Sequence, residues 1–149
     1  MAKFVYRMQS ILNIKEKMES QARNEFARAR QHLNEEEEKL KGLTERKTFY
    51  EQQGRKLQES SLNVRDILDN RNAIERMKEY ITAQKKAVIT AQAQLEDARQ
   101  KLQNAMQEKK TQERLKEKAF EEFVREENAK ESKEIDELVS YTYGQKNRI

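Results

Sequence analysis

The feature that most constrains this chain is a strict three-four alternation of apolar residues from Ile74 to Ala105. An apolar position every 3.5 residues on average keeps one side of a helix against a second helix, as in a left-handed coiled coil. The segment therefore requires a partner helix. The positions that follow the alternation are Ile74, Met77, Ile81, Gln84, Val88, Ala91, Leu95, Ala98, Leu102 and Ala105.

The composition favours long helices with a thin core. Of the 149 residues, 39% are charged and 35% hydrophobic, which suits a single apolar seam better than the core of a globule. There is no proline, and three glycines interrupt little. No apolar run approaches the roughly 20 residues of a membrane-spanning helix, and the N-terminus lacks the apolar stretch of a secretory signal. We therefore expect a cytoplasmic protein without membrane insertion.

A second amphipathic stretch precedes the seam and supplies the partner helix. We predict an all-α fold in which residues 1–149 form one elongated domain, a long antiparallel two-helix coiled coil. The predicted elements are a helix at about 3–58, a tip at about 59–70 and a helix at about 71–143 ending near Gly144, with Asp69 or Asn70 as its cap. The apolar stripe of the first helix consists of Phe4, Met8, Leu12, Met18, Ala22, Phe26, Ala29, Leu33, Leu40, Leu43, Tyr50 and Leu57.

The numbering predicts a register for the hairpin. Facing residues of an antiparallel pair have a nearly constant sum of positions, and a sum of 127 or 128 matches the two seams. The pairs are Ala22 with Ala105, Ala29 with Ala98, Phe26 with Leu102, Tyr50 with Met77 and Phe4 with Phe123.

This register leaves the end of the chain without an internal partner. Residues after about 127 would project as a single helix of about 25 Å. An unpaired amphipathic end is compatible with a partner, a dimer contact or fraying. Its apolar residues are Ile135, Leu138, Val139 and Tyr143.

Charge and motif content argue against chemistry at a catalytic centre. The net charge of +4 comes mostly from interleaved acids and bases, although residues 1–30 are basic by four charges. His32 is the only histidine, there is no cysteine, and successive glutamates from Glu35 to Glu38 point around the helix, so no metal site is expected. No phosphate loop, zinc motif or nucleophile elbow is present. We predict a protein without cofactor that is not an enzyme and acts through its surfaces.

Three motifs follow one another in order along nearly the whole chain. They are Phe4-x-Tyr6-x-Met8-x-x-Ile11-Leu12-x-x-Lys15-x-x-Met18-Glu19, then Tyr80-Ile81-x-x-Gln84-x-x-Ala87-Val88, then Lys109-Lys110-x-x-Glu113-x-Leu115-Lys116 with Lys133-Glu134-Ile135-Asp136-Glu137. In this order and spacing they resemble the bacterial flagellar export protein family FliJ.

The resemblance implies a soluble, stalk-like component of the flagellar type III export apparatus. It implies binding to the hexameric export ATPase, whose assembly and activity such proteins promote, to the membrane export gate and to export chaperones. The gate contact implied by the resemblance consists of Tyr80, Gln84 and Ala87 in the second motif and of Ala91 just beyond it. Since two of these positions belong to the seam, a packing role is equally open for them.

The same reading yields a hypothesis for the ATPase contact. The paired ends of the hairpin and the projecting helix would enter the ATPase ring, where the basic N-terminal face offers charge complementarity. The residues expected to make this contact are Lys3, Phe4, Arg7, Ile135, Leu138, Val139 and Tyr143.

Three alternatives remain from the sequence. The chain could be the equivalent stalk of a virulence-type secretion system, or a structural scaffold coiled coil. A nucleic-acid-binding coiled coil is disfavoured because the basic residues are interleaved with acids and no exposed aromatic platform is evident.

Overall fold

The computed structural model describes residues 2–60 and 63–146, which contain two long helices. Helix α1 spans Gln9–Ser60 and helix α2 spans Val64–Lys146. Within these described ranges there is no β-strand, and every φ angle is negative. The predicted all-α class is confirmed.

The helix bounds differ from the predicted ones at each end. Helix α1 begins at Gln9 rather than near residue 3, because residues 2–6 are irregular and residues 7–8 form a turn. Helix α2 begins about seven residues earlier than predicted and continues past Gly144. Part of the predicted tip, residues 61–62, lies outside the described residues.

Asn63 caps the start of α2. Its side-chain oxygen accepts a hydrogen bond from the backbone N–H of Arg65 over 3.2 Å, and its carbonyl accepts one from the N–H of Ile67. Asp66 lies in the first turn, where the helix dipole favours a negative charge. The predicted caps, Asp69 and Asn70, are therefore wrong, since both lie inside the helix.

The chain divides into two compact units. The terminal unit comprises Met1–Ser20 and Asn104–Ile149, and the central unit comprises Gln21–Gln103. The prediction of one domain over residues 1–149 stays a prediction.

The central unit is an antiparallel helix pair with the predicted seam on its inner side. The seam residues of α2 in this unit are all buried or half-buried, and Ala91 has no exposed surface. Side chains from α2 reach α1 at two levels, Asn70 at Tyr50 and Gln84 at Glu36, so the two helices run in opposite directions. The small residues of the seam allow close approach of the helix axes.

The register of the central unit corrects the predicted sum. The numbers of Tyr50 and Asn70 add to 120, as do those of Glu36 and Gln84. Asn70 also lies against Gly54, and those two numbers add to 124. Tyr50 was expected opposite Met77 but lines a groove with Asn70 and Ala73, which lie four to seven residues nearer the start of α2. A seam with apolar residues three and four apart matches apolar positions again after a shift of three, four or seven residues, which is why numbering alone selected the wrong alignment here.

In the terminal unit the helices again run antiparallel, with polar residues in the seam. Leu12 and Ala105 are buried, and Glu19 is 7% exposed. Met8 and Met18, which were predicted on the stripe, are exposed. Glu19 continues the three-four spacing that connects Leu12 to the central seam, whereas Met18 lies about 100° away around the helix.

Candidate interaction surfaces

The far end of α2 is an exposed amphipathic helix in the terminal unit. Every residue from 128 to 145 is exposed, whereas residue 127 is still half-buried. This confirms the predicted projecting segment. Its apolar side chains are Ile135, Leu138, Val139, Tyr141 and Tyr143, each between 59% and 69% exposed.

We call Ile135, Leu138 and Val139 the tail stripe. At 100° per residue these three lie within about 100° of arc on one side of α2. A shallow groove along this side is lined by the stripe together with Glu131 and Glu134. All four predicted ATPase contacts at this end are therefore exposed. Three of them form the tail stripe, and the fourth, Tyr143, lies about 80° around the helix from Ile135.

The irregular N-terminal residues pack on α2 near the start of this segment. The ring of Phe4 lies edge-on to Phe120 with centroids 5.2 Å apart and tilted against Phe123 at 5.4 Å. The hydroxyl of Tyr6 donates a hydrogen bond to Gln112 Oε1 over 3.4 Å. The predicted pairing of Phe4 with Phe123 is confirmed, although Phe4 belongs to an irregular segment rather than to a helix.

The predicted ATPase contacts at the N-terminus thus separate into two kinds. Lys3 and Arg7 are exposed cations, so they are available to a partner. Phe4 is half-buried and already contacts α2. The structure brings Phe4 to the same unit as the tail stripe, which lies about three to five turns farther along α2.

A polar pair crosses the seam of the terminal unit. Glu19 accepts an ion-paired hydrogen bond from Lys109 Nζ over 2.8 Å, and the Glu19 side chain is only 9% exposed. This hydrogen bond raises the pKa of Lys109 above its ordinary value of 10.5. Lys15 and Glu108 form a second pair at 2.9 Å nearby. Sequence reasoning missed both pairs because it searched the seam for apolar residues alone.

The predicted gate-contact residues divide by exposure in the central unit. Tyr80 is 53% exposed and Ala87 is half-buried. Ala91 is completely buried, and Gln84 is half-buried and bonded to α1. An assembled hairpin therefore offers Tyr80 and Ala87 to a partner, while Gln84 and Ala91 take part in packing.

Gln84 forms the centre of a small polar network. Its Nε2 donates a hydrogen bond to the Glu36 carbonyl over 2.9 Å and a second one to the Glu36 carboxylate. The bond from Gln84 lowers the pKa of Glu36 below its ordinary value of 4.5, and the positive charge of Lys39 acts in the same direction. His32 Nδ1 lies 4.0 Å from the same carboxylate, and its side chain is about half exposed.

The described residues hold no group of three or more His, Cys, Asp or Glu side chains that could bind a metal ion. Neither described helix carries an apolar run sufficient to span a lipid bilayer. The features that stand out are surfaces and interhelix contacts. The fold and these surfaces define a two-helix coiled coil of the kind that binds other proteins.

Comparison with known proteins identifies the family. The family model described as flagellar FliJ protein matches residues 4–148, and the chain belongs to this family. The flagellar FliJ protein of Bacillus subtilis is 26% identical over 135 residues, covering 91% of this chain and 92% of the relative. The solved structure of a putative YscO homologue from Chlamydia trachomatis superposes with a TM-score of 0.77 at 21% identity, over 98% of this chain and 99% of that one. This structural likeness shows the shared fold.

Membership of the family defines the function in outline. The chain is a component of the flagellar type III protein export apparatus, and the family is one of non-enzymatic export components. It associates with other components of that apparatus.

Proposed function

We propose that the chain acts as a stalk of the export apparatus, binding the hexameric export ATPase through its terminal unit. The observation that carries this proposal is the helix of residues 128–145, in which every residue is exposed and which bears the tail stripe in a member of an export family. A soluble protein rarely maintains such a stripe without a partner. The exposed cations Lys3 and Arg7 supply charge for the same contact.

The proposed mechanism is mechanical and allosteric rather than chemical. The terminal unit inserts among the ATPase subunits, and its differential contacts with the subunits promote assembly and stimulate hydrolysis. In this mechanism no side chain of the chain touches the nucleotide.

We also propose that Tyr80 and Ala87 contact the export gate. Both lie on the accessible side of the central unit, whereas Gln84 and Ala91 act by holding α2 in place. Binding of emptied export chaperones and a position at the cytoplasmic face of the inner membrane complete the proposed role. The flagellar reading is preferred to the virulence-type one because the matching family and the curated relative are both flagellar.

The ATPase contact is tested by stimulation of the cognate export ATPase. The substitutions Ile135→Ser and Leu138→Ser together remove the centre of the tail stripe without opening a buried core. Ile89→Ser is the matched control, because Ile89 is 64% exposed on the central unit and Ile135 is 62% exposed. We expect stimulation to be lost in the tail variant and retained in the control. Equal stimulation by both would refute the contact.

The gate contact is tested separately by binding to the cytoplasmic domain of the gate protein. Tyr80→Ala removes a side chain that is half exposed, so the helix pair should remain folded. We expect about a tenfold or greater loss of gate affinity with ATPase stimulation unchanged. Unchanged gate affinity would remove Tyr80 from the proposal.

A further inference from the structure

The charges around the tail stripe point to the chemistry of its partner. Between residues 126 and 139 there are six acidic and two basic side chains, in a chain whose net charge is +4. Local charge of the opposite sign to the rest of the chain is a feature that the stalk role alone does not explain. The acidic residues are Glu126, Glu127, Glu131, Glu134, Asp136 and Glu137.

These charges are distributed unevenly around the helix. Glu131 and Glu134 line the groove beside the stripe, and none of the described basic side chains lines it. At 100° per residue, Asp136 lies on the other flank of Ile135. Both lysines, Lys130 and Lys133, lie more than about 130° from Ile135, on the opposite side of the helix.

One of these two lysines, Lys130, already forms an ion pair within the helix. Its Nζ lies 3.9 Å from Oε1 of Glu127, and the Glu127 side chain is only 16% exposed. The carboxylates beside the groove face solvent together with the aliphatic side chains, since residues 131–139 are all exposed. A partner therefore meets an apolar strip with negative charge along both of its edges.

We infer that the tail stripe docks a basic amphipathic helix of a partner protein, with leucine-like side chains on Ile135, Leu138 and Val139 and lysine or arginine side chains on the flanking carboxylates. This inference deepens the proposed function and rests on it only for the location of that helix in the export apparatus. Apolar burial supplies affinity, and the charges supply orientation and selectivity.

The same charges exclude three other occupants of an exposed apolar helix. Nucleic acid and an anionic bilayer surface both carry negative charge, so both are repelled by the flanking carboxylates. A second copy of the tail would bring acidic edges against acidic edges. A basic helix is the occupant for which the apolar and charged parts of the surface agree.

The test uses the full chain and a synthetic helical peptide of leucine and lysine at amphipathic spacing. A second peptide has glutamate in place of each lysine. Binding is measured by fluorescence anisotropy at low salt and at about 0.15 M salt. At the higher concentration, exposed charges more than about 8 Å apart are largely screened from each other. We expect the chain to bind the lysine peptide and to discriminate against the glutamate peptide by tenfold or more.

Two sets of variants locate the site. Glu131→Gln with Glu134→Gln should weaken binding about three- to tenfold at low salt and reduce its salt dependence. Ile135→Ser should weaken binding at both salt concentrations. The matched controls are Glu37→Gln with Glu38→Gln, and Ile89→Ser, which change exposed residues of the central unit and should bind as the unaltered chain does.

Several results would overturn the inference. They are equal binding of the two peptides, equal weakening by the Glu37 and Glu38 controls, cosedimentation of the chain with anionic vesicles, and concentration-dependent dimers that Ile135→Ser abolishes. Failure of the proposed function is distinguishable from these. In that case the lysine peptide binds at the tail stripe as expected, but the export ATPase is not stimulated.

Discussion

The side chain of Asn70 on α2 donates a hydrogen bond to the backbone carbonyl of Tyr50 on α1 over 2.9 Å. The carboxamide oxygen of Asn70 occupies the space that a Cβ atom would need if position 54 held any residue other than glycine. The packing of the central unit therefore requires glycine at position 54, since the absence of a side chain there lets Asn70 reach the backbone of α1. This relationship fixes the level at which the two helices meet near the tip.

We predict opposite effects of alanine at two helical glycines. A glycine-to-alanine change in an exposed helix interior stabilises by roughly 0.5–1 kcal/mol. At Gly42 nothing lies within 4 Å of the added Cβ, so Gly42→Ala should deliver this gain. At Gly54 the new Cβ displaces Asn70 and breaks its hydrogen bond, which costs about 1 kcal/mol or more. Urea unfolding should therefore rank Gly42→Ala above the unaltered chain and Gly54→Ala at or below it.

The double variant Gly54→Ala with Asn70→Ala tests whether the loss of stability comes from the clash between the added Cβ and the Asn70 oxygen. With the Asn70 oxygen absent, the added methyl at position 54 should be tolerated. A Gly54→Ala variant as stable as Gly42→Ala would show that Asn70 does not fix the tip.

The contact of Phe4 with α2 should contribute measurably to stability. Phe4→Ala removes a half-buried ring together with its contacts to Phe120 and Phe123, which we expect to cost about 1–2 kcal/mol in urea unfolding. Phe49→Ala is the control, because Phe49 is 60% exposed and should cost less than half as much. Equal costs would mean that residues 2–6 do not hold to α2 in solution.

The network of Gln84 predicts a loss of stability in acid. Because the pKa of Glu36 is lowered in the folded chain, its carboxylate contributes stability above the ordinary value of 4.5. That contribution is lost as the pH falls through the folded pKa. In Gln84→Ala the main cause of the shift is removed. The stability difference between the two chains should therefore be largest at neutral pH and shrink on acidification below about pH 4.5. A difference that is constant with pH would contradict the network.

The pair of Glu19 and Lys109 predicts the opposite dependence in base. The raised pKa of Lys109 means that its ammonium group stabilises the folded chain fully below 10.5. The contribution disappears as the pH rises through the folded pKa. Unfolding midpoints of the unaltered chain and of Lys109→Gln should therefore differ at neutral pH and converge only as the pH rises above the ordinary lysine value of 10.5. Convergence on the acid side instead would assign the effect to another group.

The seam could be predicted from sequence because it is made largely of apolar residues at fixed spacing. From Ile74 to Leu102 every predicted position of α2 is at least half-buried, including the polar Gln84. The same periodicity could not select the register, because a shift by half a heptad or by a whole heptad again places apolar positions on apolar positions. The selection is made by side chains such as Asn70, whose partner was not recognisable from spacing.

The polar parts of the structure were the least predictable. Glu19 occupies a buried seam position that apolar matching assigned to Met18, and Asn63 caps a helix that was expected to begin several residues later. Their roles depend on partners that are distant in sequence or on the local backbone. Likewise, the burial of Ala91 separates it from Tyr80, although both were predicted to contact the export gate.

The account depends most on the tail stripe as a working surface of an export component. The direct measurement is swimming motility in a flagellated strain whose own copy of this protein has been deleted. A plasmid carrying Ile135→Ser with Leu138→Ser should fail to restore swimming, while the unaltered chain and Ile89→Ser restore it at equal protein levels. Full motility with the tail variant would contradict the account.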